Sequence, residues 1–213
     1  MTAFALAVLL LVGIGADHPI FTSANVDQTG SWTGYRATIQ VRPLTYAIWP
    51  GGYLSDGTFV QNGFLNNYGE GLYAFAWAIS TAGAEAVPLT FTKVTPTPLS
   101  WVTFELAWAS GRWTFRYRDA AGWHRQGSWR SNARLEAFQV VNEYWAPEPH
   151  PFATQAVRNV QVRDKGGWFS PSMSYGPPPE TCGHDIITSR VRGSLVFRSV
   201  EAQCEPYSVL WRA

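Results

Sequence analysis

Charge is scarce in this chain, and what there is lies scattered. Only 15% of the 213 residues are charged, the formal net charge is +1, and no run of lysine or arginine occurs. The electrostatic footprint of a nucleic-acid binder is therefore missing, and no nucleic-acid partner is expected. Cysteine is rarer still. Cys182 and Cys204 are the only two, too few for a four-cysteine zinc site. His18, His124, His150 and His184 fall in neither an HxH nor an HExxH spacing, so neither a metal nor another cofactor is expected. The signatures of serine hydrolases (GxSxG), P-loop NTPases (GxxxxGKS/T) and dinucleotide-binding folds (GxGxxG after a strand) are absent as well. No segment sustains a 3.6-residue apolar period long enough for a long helix.

The longest apolar run is AFALAVLLLVGIGA, from Ala3 to Ala16. It falls short of the roughly 20 residues a membrane-spanning helix needs, but it suits the apolar core of a signal peptide. Residues 1–16 are accordingly read as a signal peptide cut near Asp17, although no lysine or arginine precedes the run. The mature chain is expected to be secreted, with no membrane partner. An exported setting lets Cys182 and Cys204 pair, a disulfide worth about 3 kcal/mol on chain-entropy grounds.

Aromatics are what the sequence has in abundance: 11 Trp, 9 Tyr and 12 Phe. They sit in short alternating runs punctuated by Gly, Pro, Asn and Asp. In Arg112 to Arg118, Trp113, Phe115 and Tyr117 fall on one face and arginine or threonine on the other. That pattern marks a half-buried strand. Ser110-Gly111 makes it one arm of a hairpin with Trp101 to Ala109. Further strands are read at Tyr35–Val41, Leu44–Trp49, Thr58–Leu65, Leu72–Ile79, Pro88–Lys93, Trp123–Trp129, Leu135–Trp145 and Ala156–Arg163. Gly51-Gly52 and Gly69-Glu70-Gly71 read as turns. The expected fold is an all-β, two-sheet antiparallel jelly roll or concanavalin-like sandwich over residues 17–170. Residues 171–213 read as a Pro-rich linker followed by disulfide-stapled C-terminal strands.

Polar residues inside apolar strands are the candidates for chemistry, since such groups need partners or a cleft. Gln61 shares a strand face with Phe59, Gly63 and Leu65. Gln139 and Glu143 share a face with Ala137 and Val141, opposite the core-like Phe138, Val140 and Tyr144.

With these residues the chain resembles the glutamic peptidases, or eqolisins. Ser31-Trp32-Thr33-Gly34-Tyr35, Val60-Gln61-Asn62-Gly63, Tyr73-Ala74-Phe75-Ala76-Trp77, and Ala137 to Glu143 followed by Pro151-Phe152 carry the likeness. The resemblance implies a secreted two-sheet jelly roll acting on polypeptides. Glu143 is then the general base and later the acid, and Gln61 the oxyanion donor, with Tyr73, Trp77, Gln139 and Trp145 lining the substrate groove. It also implies proteolysis at acid pH, although a pI of about 7.8 shows no acid-adapted surface. The chain departs from the family pattern in two places. A gap-free overlay sets Asn142 rather than Glu143 at the catalytic glutamate, and Trp77 stands where an acidic residue belongs. A one-residue slip reverses a strand's faces, so the choice between Asn142 and Glu143 is decisive.

Two other readings share the fold. Aromatics such as Tyr73, Trp77, Trp101 or Trp145 on a concave sheet would suit a lectin-like module for polysaccharide. Alternatively, Glu143 paired with Glu105 or Glu70 would supply the two carboxyl groups of a glycoside hydrolase.

Overall fold

The computed structural model describes residues 19–42, 47–67, 71–145, 155–175, 184–191 and 194–201. The expected signal segment, Cys182 and Cys204 lie outside the described residues.

The two-sheet antiparallel sandwich expected from the alternating sequence is what forms. One sheet has seven strands in the order β13-β1-β10-β3-β4-β5-β6. These are β1 (Pro19–Val26), β3 (Ala47–Leu54), β4 (Phe59–Asn67), β5 (Gly71–Ile79), β6 (Glu85–Lys93), β10 (Leu135–Trp145) and β13 (Met173–Tyr175). The other runs β14-β15-β11-β2-β7-β8-β9, with β12 also paired to β11. It comprises β2 (Gly34–Gln40), β7 (Trp101–Ala109), β8 (Arg112–Asp119), β9 (Gly122–Arg130), β11 (Gln155–Asp164), β12 (Gly167–Phe169), β14 (His184–Val191) and β15 (Ser194–Glu201).

Alternation builds the core between the sheets. Trp113, Phe115 and Tyr117 of β8 and Val102, Phe104 and Leu106 of β7 meet Val60, Phe64, Phe138 and Val140 from the facing sheet. Phe64 and Phe104 touch edge to face across the gap, with centroids 4.8 Å apart. The β7–β8 hairpin turns at Ser110 (φ 50°) and Gly111 (φ 76°), the paired left-handed conformations that match strand twist.

A polar residue inside this core reaches across it. Asn62 accepts a hydrogen bond from the Tyr35 hydroxyl at 3.0 Å and donates to Gln126 Oε1 at 3.1 Å, both on the opposite sheet. Because a buried amide must be satisfied, Asn62 fixes which face of β4 turns inward. Gln61 and Gly63 are thereby turned outward.

Three expectations are corrected. Gly51-Gly52 is not a turn but the middle of β3, where a Cβ on Gly52 would lie 1.9 Å from the Ala137 carbonyl oxygen and one on Gly51 2.6 Å from that of Val60. The glycines answer a need for close backbone approach rather than for chain reversal. Within the proline-rich stretch, Met173–Tyr175 adds a short edge strand beside β1; proline is excluded from central strands, not from edges. Finally, Trp101 lies on β7, in the sheet opposite Tyr73 and Trp77, so these rings do not share a wall.

Candidate functional site

The site lies on the outer face of the seven-stranded sheet, the side turned away from the core. On β10 this face carries Gln139, Val141 and Glu143; on β4 it carries Phe59, Gln61, Gly63 and Leu65. The register sets Glu143 beside Ala47, Val141 beside Trp49 and Gln139 beside Gly51. It then sets Gly51 beside Gln61 and Gln61 beside Trp77. Gln61 and Glu143 therefore belong to one sheet face but not to adjacent strands: β3 runs between them.

Trp49 on β3 bridges that gap. Its indole Nε1–H donates to Glu143 Oε1 at 2.6 Å. The ring finds room because its neighbours on the face are glycines. A Cβ on Gly63 would lie 2.6 Å from Trp49 Cβ, and one on Gly51 within 2.9 Å of the indole ring. Phe59 packs edge-on against Trp49 at 5.8 Å, and with Phe75, Trp77 and Val141 closes an apolar cluster on this face.

Glu143 is 4% exposed. Burial pushes its carboxyl up from the ordinary value to about 7, and the Trp49 hydrogen bond acts the other way by favouring the charged form. Gln61 is equally buried, and its Oε1 has no hydrogen-bond partner among the described residues. Both side chains line one small pocket with Ala47, Trp49, Leu65 and Phe75, rimmed by Leu89 and by the exposed Phe91. Its volume is about 10 Å³, the least that admits one water molecule. A single water there would meet an acceptor without a partner and a carboxyl poised near neutrality.

The other predicted residues share the face but not this pocket. Tyr73 is half-buried and edge-on to Phe91. Trp77 is buried and donates to Glu85 Oε1 at 2.9 Å. Gln139 lines a separate cleft of about 230 Å³ with Asn25, Asp27, Gly52, Tyr53 and Glu136. Trp145 ends β10, and its side chain lies outside the described residues. Asn142 faces inward, 2% exposed, so on this strand Glu143 occupies the outward position. Glu105 lies in the other sheet, buried and paired with Arg116 at 2.5 Å rather than facing solvent; Glu70 is outside the described residues. Sequence reasoning missed Trp49 and the glycines that seat it. The signal was present in Trp49-Pro50-Gly51-Gly52, a bulky donor followed by residues too small to cover it.

No family model matches the chain, and no curated protein matches it. Among solved structures, the chain is similar to an uncharacterized protein of Mycobacterium paratuberculosis (an Rv0315 ortholog) at 14% identity and a TM-score of 0.38, covering 75% of this chain and 78% of that one. It is also similar to a functionally unknown protein of Saccharomyces cerevisiae at 13% identity and a TM-score of 0.29, covering 64% and 74%.

Proposed function

We propose that this protein hydrolyses peptide bonds with a water activated between Glu143 and Gln61. One observation carries the reading: a buried carboxyl held near pH 7 and a glutamine with an unmet acceptor line the same water-sized pocket. The ionised Glu143 takes a proton from the water as its oxygen attacks the carbonyl carbon. The Gln61 amide donates to the oxyanion that forms, and Glu143 returns the proton to the departing amine. Trp49 orients the carboxylate and stabilises its charge. The apolar rim of Leu89 and Phe91 suits an apolar side chain of the polypeptide, and the cleft beside Gln139 offers room for residues further along it.

A base must be ionised to act, so a carboxyl titrating near 7 moves activity to neutral pH and above, away from the acid range the family resemblance implied. The competing readings lack support on this face. A lectin needs exposed rings, and of those the reading named on this face Trp77 is buried and Tyr73 is half-buried, packed edge-on against Phe91. A glycosidase needs a second carboxyl group, and among the described residues lining the pocket Glu143 is the only acid.

Incubating the protein with denatured polypeptide tests the proposal. Glu143→Gln is expected to abolish cleavage, and Gln61→Ala to lower kcat by about 10²–10³, as for a lost oxyanion donor. Cleavage that survives Glu143→Gln would refute it.

A further inference from the structure

The outer face of the other sheet gathers arginine. On β8, Arg112, Arg116 and Arg118 alternate with the core-facing rings. The register places Arg125 beside Arg116 and Arg130 beside Arg112 on β9. Across β7, Arg36 of β2 flanks Glu105 on its other side, and Arg158 and Arg163 of β11 extend the array beyond β2. Among the described residues between the ends of β2, β7, β8, β9 and β11, the carboxylate that meets these eight cations is the buried Glu105, bound by Arg116. The sequence hides this concentration, because no two of these arginines are adjacent and they come from separate strands.

Tryptophans hold the guanidinium groups in place. Arg36 lies 4.5 Å over Trp168, Arg116 4.2 Å over Trp123 and Arg158 4.1 Å over Trp101. Stacking limits the freedom these side chains lose on binding an anion. Arg116 already commits its Nε and Nη2 to Glu105 and Arg36 its Nε to Gln161, so the exposed Arg118 and Arg125 are the ones placed to meet a ligand. The cations repeat on the sheet lattice, at about 4.8 Å between strands and about 6.7 Å along them.

We infer that this face binds an acidic polysaccharide, a glycan chain carrying carboxylates on its sugars. Charge complementarity favours an anionic polymer, and the guanidinium fork matches the planar carboxylates such a glycan carries. An acidic peptide is the outcome that competition with polyglutamate tests. Sugar hydroxyls find Thr114 between the arginines, beside Ser128, whose hydroxyl oxygen accepts from Arg112 and Arg125. Single-stranded nucleic acid stacks its bases on open aromatic platforms, and here Arg36, Arg116 and Arg158 each cover one face of a ring. The inference is independent of the Glu143 pocket, which lies on the opposite side of the sandwich.

Affinity electrophoresis of the full chain in gels containing polygalacturonate tests it, with dextran as neutral control and polyglutamate and a mixed-sequence DNA duplex as competitors. Retardation is expected with polygalacturonate alone and should weaken with added salt. Arg118→Gln/Arg125→Gln, both exposed, should lower the affinity at least about tenfold. The matching double lysine variant should recover only part of it, since lysine keeps the charge but not the fork. Equal retardation by dextran, displacement by polyglutamate or DNA at matched charge, or full binding by the glutamine variant would overturn the inference.

Discussion

Glu143 makes folding itself depend on pH. Its carboxyl ionises near 7 in the folded chain and near 4.5 when exposed, so between those values the folded state holds a proton that the unfolded state has released. Stability is fully present below about pH 4.5 and declines as pH rises through 7, by about 3 kcal/mol in all. Glu143→Gln carries no charge to bury and keeps an acceptor for Trp49, so it is expected to remove this decline. Urea unfolding at pH 5 and pH 8 checks it: the wild type loses stability between the two and the variant does not. Trp49 has a distinct signature. Its hydrogen bond favours the ionised carboxylate, so Trp49→Phe is expected to move the acidic limb of the cleavage profile to higher pH. A limb that stays in place would remove Trp49 from the account.

At the scale of the element, β3 and β4 are shaped to seat one indole. Gly63→Ala would drive a Cβ to 2.2 Å from the Ile48 carbonyl oxygen as well as against Trp49. Backbone cannot give way there without parting the strands, so a loss of about 3 kcal/mol is expected, the upper range for overpacking. Thermal unfolding measures it. Most strands were legible in the sequence because one face of each is buried: Leu135–Trp145 is read with the bounds the structure gives it, and β5 and β9 differ from their readings by a residue or so at the ends. β3 was misread because its glycines resemble turn chemistry; their true cause, contact with neighbouring strands, is invisible without those neighbours. β1 was missed because Pro19–Val26 lacks clean alternation and takes its place from pairing with β10.

Across the whole molecule, the two outer faces have opposite characters. One carries an apolar, aromatic cluster around the buried Glu143 and Gln61; the other is set with arginines. Strand parity made the shared outward orientation of Gln61 and Glu143 readable, but strand order was not, and β3 with its tryptophan turned out to lie between them. The arginine face escaped sequence reading for the same reason, since its arginines come from four strands, β2, β8, β9 and β11, that the sheet sets in register. The central claim is that Glu143 acts as a base whose proton leaves near neutrality. The measurement that tests it most directly is the pH dependence of kcat/KM for cleavage of a denatured polypeptide by the wild type and by Glu143→Gln. The account predicts wild-type activity rising through an apparent pKa of about 7 and none in the variant at any pH. Activity that is greatest at acid pH, or that persists in Glu143→Gln, would contradict it.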